Sequence, residues 1–265
     1  MSRGVRYGVI SDIHANLPAL DAVLETLGRA DVDAYVCAGD LVGYGPQPNE
    51  CVQVVRRLGA ACVAGNHDLI ATGALSADRC ERLARESLRW TRAALDDASR
   101  HYLAALPRRL ELPGGLVIAH GSLEDPQEYV LNADQARAQL ERLAQVHPDA
   151  GVLVLGHTHR ALALGEGGAV PAHRVTLGAS RWVLNPGAVG QSREPRIWAR
   201  CLVLDLGRRE ATFYAVRYDV RRTRALLRLH GRPAGSVHLP PWRLKAVLRP
   251  AVRAVRTAEA RLRRA

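Results

Sequence analysis

Short apolar runs that stop at a cluster of polar side chains are what most constrain this chain. "GVISDIH" delivers Asp12 and His14, and "YVCAGD" delivers Asp40. "CVAGNHD" ends in Asn66, His67 and Asp68, "LVIAHG" in His120, and "VLVLGHTH" in His157 and His159. Runs of this length, rich in Val, Ile and Leu, read as strands. Gly39, Gly65 and Gly156 each precede the first polar residue of a cluster. Glycine there permits a tight turn and a close approach of backbone to a ligand. Asp12 and His14, like His157 and His159, are spaced i, i+2, so continued strand geometry would turn each pair toward one side.

Between these runs the pattern changes to helical periods. Leu20, Val23, Leu24 and Leu27 predict a helix from about Leu17 to Arg29, and a second helix is expected to begin near Asn49. A longer helical region is expected from about Asp78 to Leu106, with Leu83, Leu88, Trp90 and Leu95 inward, and another helix over 134–145. From about Ala161 to Val216 the texture becomes strands and turns, as in "ALAL", "HRVTL", "RWVLN", "ARCLVLDL" and "EATFYAV". The alternating first half predicts one sheet with helices outside, and the strand-rich second half predicts a second sheet packed against it. Ligands of such sheets gather beyond the carboxyl ends of strands, where the polar clusters fall.

The 265 residues are enough for one large domain or two small ones, and 48% hydrophobic with 24% charged residues is ordinary for a soluble globular chain. No apolar run approaches the roughly 20 residues that span a bilayer. "MSRGVRYGVISD" has no signal-peptide h-region, so a cytoplasmic protein is expected. Cys37, Cys51, Cys62, Cys80 and Cys201 form no CxxC pair, which argues against a disulfide framework or a thiolate zinc site. Ser11 and Ser122 lie beside candidate ligands without the relay spacing of a serine hydrolase. The net charge of +11 is uneven: residues 217–265 carry 14 basic residues against two acidic ones, which leaves −1 for residues 1–216. That basic, helix-compatible tail can pack its apolar stripe on the domain or on a second subunit, or bind nucleic acid or an acidic membrane surface.

Carboxylates and imidazoles without cysteine suit manganese, iron, zinc, nickel or cobalt rather than a soft-metal site. Two ions about 3.5–4 Å apart need a bridging carboxylate and several terminal ligands. Asp40 is the natural bridge. A lone D-x-H or G-H-x-H is weak evidence, whereas five such clusters at predicted strand ends make a strong pattern.

The order D-x-H, G-D, G-N-H-D, H-G, G-H-T-H resembles the calcineurin-like metallophosphoesterase superfamily over about residues 5–216. The likeness is greatest to its small bacterial and archaeal phosphodiesterase branch. The resemblance implies an α/β fold, a four-layer αββα sandwich of two packed mixed β-sheets flanked by helices. Residues 1–218 would form this domain and 219–265 a basic helical C-terminal extension. Carried over residue by residue, it implies one metal on Asp12, His14 and His159, another on Asn66, His120 and His157, and Asp40 between them. Manganese is the first expectation for both ions, with iron, zinc, nickel, cobalt and magnesium as alternatives. The implied reaction is hydrolysis of a small-molecule or nucleotide phosphoester, preferably a diester, by in-line attack of a hydroxide shared by the metals.

His67 is the expected proton donor to the leaving oxygen, with Asn66, His67 and Arg193 binding substrate. Asp68 would fix the His67 tautomer, with a helix-cap carboxylate as the equal alternative. "VLNPGAVGQSREP" resembles the family's closing segment, with Ala188 where serine is usual. Asn185 is expected to brace the metal loop or simply to form a turn, and Gln191, like Arg193, to reach phosphate. Tyr44 would scaffold the 41–50 loop or line the mouth of the site. Two rival readings are a non-catalytic scaffold of the same fold and a nuclease using the basic tail. A homo-oligomer is left open.

Overall fold

The structure is a computed structural model and describes residues 4–240. Alternate side chains of its central strands serve different cores. In β1 (Arg6–Ile10), Tyr7 and Val9 enter a central core while Ile10 packs on the opposite face. In β5 (Leu116–Ala119), Leu116 and Ile118 point to that same central core, and Val117 and Ala119 point away from it. β6 (Val152–Val154), β10 (Trp182–Pro186) and β11 (Ala199–Asp205) divide their residues in the same way. This two-sided burial, with a period of two, is why the strands read as unbroken apolar runs.

Two six-stranded mixed sheets result. With β2 (Ala34–Cys37), β3 (Ala61–Cys62), β9 (Arg174–Thr176) and β12 (Glu210–Val216), the first runs β3-β2-β1-β11-β12-β9. With β4 (Arg109–Leu112), β7 (Ala161–Gly165) and β8 (Gly168–Val170), the second runs β4-β5-β6-β10-β7-β8. β1, β2 and β3 are mutually parallel, as are β5, β6 and β10, and the remaining neighbours are antiparallel. Helices α1 (Leu17–Arg29) and α2 (Pro48–Arg57) bury Leu20, Val23, Leu27, Cys51 and Val55 on the outer face of the first sheet. Helix α6 (Ala133–Val146) covers the second with Ala136, Leu140 and Leu143. The architecture is the four-layer αββα sandwich.

Three expectations need correction. The sheets do not divide the chain into halves: each takes three strands from before residue 155 and three from after it. Strands buried on both faces carry no mark of which sheet they join. The long helical region is two helices, α4 (Arg82–Ala94) and α5 (Asp97–Ala105), because Leu95 is extended and Asp96 accepts the Ser99 amide at 2.7 Å as a new N-cap. Trp90 is not in the core stripe of α4. Its ring is half-buried, 5.3 Å from that of His230 and 5.2 Å from the Arg232 guanidinium.

Beyond β12, helix α7 (Val220–Leu229) lies against α1, capped by Asp219 and joined to Asn16 by the Thr223 hydroxyl at 2.9 Å. A 3-10 turn, Ala234–Val237, then returns toward the strand ends. Residues 241–265, the end of the basic tail on which the nucleic-acid expectation leans, lie outside the described residues. No helix among the described residues is long and apolar enough to cross a membrane.

Candidate metal centre

The loops after β1, β2, β3, β5 and β6 meet at one edge of the sandwich. Backbone bonds knit them: Asp12 N to Gly39 O and His14 N to Asp40 O, both 2.9 Å, and Gly156 N to His120 O at 2.7 Å. The glycines serve this knitting. A Cβ on Gly65 would collide with the Asp40 carboxylate, and Gly39, at φ +90°, lies against the Gly65 backbone.

The i, i+2 pairs converge by another route than the one expected. β1 ends at Ile10 and β6 at Val154, so neither pair continues a strand. Asp12, His14, Asp40, His157 and His159 instead take left-handed backbone, with φ between 47° and 65°. Such conformations cost roughly 1–2 kcal/mol per non-glycine residue and are tolerated where surrounding structure dictates them. Single-residue left-handed turns aim successive side chains at chosen points, and His157 and His159 join different groups.

Those groups are Asp12, His14 and His159, then Asp40, His120 and His157, with ligating atoms in each within 4.8 Å of one another. All are buried. Asn66 Oδ1 lies 3.2 Å from His120 Nε2, beside the second group. Asp40 stands between them: its Oδ2 is 3.2 Å from His120 Nε2 and 3.7 Å from His14 Nε2. Its Oδ1 accepts the His67 amide at 2.8 Å, at the start of α3 (Asn66–Thr72). Asp12 receives the His157 amide at 3.1 Å.

The donor atoms fit cations. Three rings give Nδ1–H to backbone carbonyls: His14 to Val42 at 3.0 Å, His120 to Ala38 and His159 to Gln191 at 2.7 Å. A carbonyl only accepts, so in each neutral ring the lone pair is on Nε2, turned inward. His14 Nε2 and His159 Nε2 then face each other at 3.1 Å, and His157 Nε2 is buried without a hydrogen-bond partner. Converging lone pairs of this kind are satisfied by a metal ion.

For three of the rings the electrostatics agree. Burial, with neighbouring positive groups adding to it, holds His14, His157 and His159 well below the usual histidine range, so all three rings are neutral. Burial also disfavours charge on His120, but the Asp40 carboxylate outweighs it and raises the ring to about 10. Burial lifts Asp12 to about 7, with Asp40 adding to the lift. Asp40, although buried, is held below the carboxylate range by His120, His67 and His14.

His67 lies at the edge of the cluster and forms a third group with His14 and Asp40. Its Nδ1 has no partner, and burial lowers its pKa to about 4. Asp68 does not fix its tautomer. Both Asp68 oxygens are taken by backbone: Leu41 N at 2.9 Å and Val42 N at 3.2 Å on Oδ1, and Gly65 N at 3.0 Å on Oδ2. It is the helix-cap carboxylate, tying the 39–42 loop to α3.

Asn185 gives its amide to Gly156 O at 2.6 Å and to Thr158 Oγ1 at 3.1 Å, bracing the 156–159 loop. Gln191 spends its side chain on Ser236 O at 2.9 Å and on Arg193 Nε at 3.4 Å, so it positions Arg193. Arg193, 5% exposed, points Nη1 toward His157 O and Tyr129 OH, both at 3.4 Å. Tyr44 is buried, its ring 4.7 Å from those of His14 and His67. Tyr129 went unread in the sequence, yet its ring stacks on His157 at 4.0 Å. It is the lone aromatic between His120 and α6, and no spacing ties it to "GHTH".

A fold of two mixed sheets with this edge of carboxylates and imidazoles defines a metal-dependent hydrolase class. Residues 5–209 match the calcineurin-like phosphoesterase superfamily domain, and the chain belongs to that superfamily. An uncharacterized protein of Methanocaldococcus jannaschii is 31% identical over 222 residues, 81% of this chain and 88% of its own length. The crystal structure of a metallophosphoesterase from Sphaerobacter thermophilus superposes with a TM-score of 0.74 at 35% identity, covering 88% of this chain and 97% of that one. A hypothetical protein from Pyrococcus horikoshii OT3 shares the fold at 19% identity and TM-score 0.73, covering 88% of this chain and 96% of its own. Membership implies phosphoester hydrolysis dependent on divalent metals.

Proposed function

We propose that this chain hydrolyses phosphodiesters at a pair of divalent ions, manganese foremost. The observation that carries the reading is Asp40, whose Oδ2 faces an imidazole of each ligand group. Asp12, His14 and His159 would hold one ion, Asn66, His120 and His157 the other, and Asp40 both. When bound, the ions supply Lewis-acid charge to phosphoryl oxygens and a water acidic enough to act near neutral pH. Arg193 holds a phosphoryl oxygen with a guanidinium whose orientation Gln191 sets. His67 would donate from its protonated form, which burial disfavours and which the Asp40 carboxylate and an anionic phosphoester favour, so that giving its proton to the leaving oxygen returns a neutral ring. Tyr44 and Tyr129 keep bulk water from the rings they cover. The diester preference is supported by the sequence's resemblance to the phosphodiesterase branch and by a cavity of about 360 Å³ beside Thr158 and Arg193, with room for a second substituent. Cys37, Cys51, Cys62, Cys80 and Cys201 are all free thiols, consistent with the cytoplasm as the compartment.

A substrate panel tests the proposal. Protein stripped by chelator and reconstituted with manganese is assayed on bis(p-nitrophenyl) phosphate, p-nitrophenyl phosphate, cyclic nucleotides and single-stranded DNA. A diester is expected to exceed the monoester in kcat/KM by about tenfold or more, a difference of ~1.4 kcal/mol in barrier. Absence of turnover with every divalent ion would remove the enzyme reading, and a monoester preference would remove the diester one.

A further inference from the structure

The cavity of about 360 Å³ opens against the loop that carries His157 and His159, and it shares Thr158 and Arg193 with the metal centre. Val130, Leu131, Ala161, Leu162 and Pro195 supply its apolar walls. Leu131 is 37% exposed, one of four large exposed apolar side chains among the described residues. The cleft sets these apolar side chains among Thr158, Arg160, Arg193 and Glu194, and its volume is at the small end of the range for small-ligand sites.

The charges of the cleft are unequal. Glu194 lines it, but its carboxylate is engaged by Arg200 through Nε at 3.0 Å and Nη2 at 2.5 Å. Arg160 also lines it, exposed, and its guanidinium makes no hydrogen bond or ion pair among the described residues. The buried end of the cleft therefore has Arg193 beside the metal ligands, and its outer side has an uncommitted guanidinium.

We propose that this cleft is the subsite for the second substituent of the substrate, and that it selects a compact apolar or flat group bearing a second anion, which Arg160 receives. The proposal rests on the phosphoesterase reading, because the first anion is the phosphoryl group at the metal centre. The second anion is a carboxylate or a further phosphate, either of which matches a guanidinium fork.

Three inert probes isolate the second anion: phenylphosphonate, 4-phosphonobenzoate and 1,4-phenylenebisphosphonate. Each is titrated calorimetrically into manganese-loaded, full-length protein. The two bis-anions are expected to bind about five- to tenfold tighter than phenylphosphonate, as for a charge-assisted contact at a partly exposed site. The preferred bis-anion tells carboxylate from phosphate. Arg160→Ala should remove the gain and Arg160→Lys should keep part of it. Leu162→Trp, which fills the cleft, should weaken all three probes, with metal content and circular dichroism checking that the variants fold. Equal binding of the three probes to the wild-type protein, or a gain that survives Arg160→Ala, would overturn the subsite while leaving the phosphoryl centre intact. No binding of any probe would overturn both.

Discussion

At Asp40 one carboxylate oxygen takes the His67 amide at 2.8 Å while the other faces His120 and His14. Around it, burial has raised Asp12 to about 7, and the Asp40 charge, working against burial, has raised His120 to about 10. Both groups bind a proton more tightly than usual, and both would ligate only when deprotonated, so acid competes with the cation. Metal affinity is therefore expected to climb as pH rises from about 6 to 9, with about one to two protons released per chain at pH 7. Calorimetry in buffers of different ionisation enthalpy measures that release. A pH-independent affinity would contradict the assignment of both residues as ligands. His67 is argued at the same scale. His67→Ala should keep its metal and slow esters with poor leaving groups about 10²–10³-fold, good leaving groups much less. Equal losses would take His67 out of the proton-donating role. These residues were legible in the sequence because each ends an apolar run. Tyr129 was not, since it reaches His157 from a loop with no periodic pattern.

The elements that matter most are the loops after the strands and the short helix α3. Asp68 binds three backbone amides from two of those loops, so Asp68→Ala strands buried donors and is expected to destabilise the protein by about 2–4 kcal/mol. Asp68→Asn keeps one acceptor and should cost less. Urea unfolding in the presence of chelator separates this from metal binding. Neither variant should change the ratio of rates on poor and good leaving groups, whereas a residue setting the His67 tautomer would change it. The sequence offered both readings of Asp68, because a carboxylate after histidine and a carboxylate at N3 of a helix are one residue here. The left-handed backbone at His157 and His159 was likewise hidden. Non-glycine residues with positive φ leave no compositional trace, and the i, i+2 spacing looked like a strand continuing.

Across the whole molecule the strand ends of both sheets have to meet at one edge, and the segment after β12 helps to hold them. Thr223 bonds Asn16, Ser236 O receives Gln191, Ser236 Oγ bonds Tyr44 O, and Ser192 pairs with His238. The residues from Thr223 on lie beyond the 5–209 span of the family match. Truncation after Tyr218 is expected to cost about 2–4 kcal/mol and to lower the melting temperature by roughly 10 °C. It should also weaken Arg193-dependent substrate binding, seen as a raised KM. An unchanged melting temperature and KM would show that this segment is not part of the site's support. Two packed sheets with helices outside were legible from the apolar texture, and the four-layer order came from the family resemblance. The assignment of strands to sheets was not, because β5 and β6 look like β1 and β2 in sequence, and the strands that extend each sheet, β10 beside β6 and β11 beside β1, lie far along the chain.

The central claim is that side chains spread from Asp12 to His159 enclose a pair of cations shared by Asp40. Anomalous diffraction at the manganese edge, from crystals of the reconstituted protein, measures this directly. Two peaks about 3.5–4 Å apart, both in contact with Asp40, are the predicted result. A single peak, or Asp40 turned away from either ion, would contradict it.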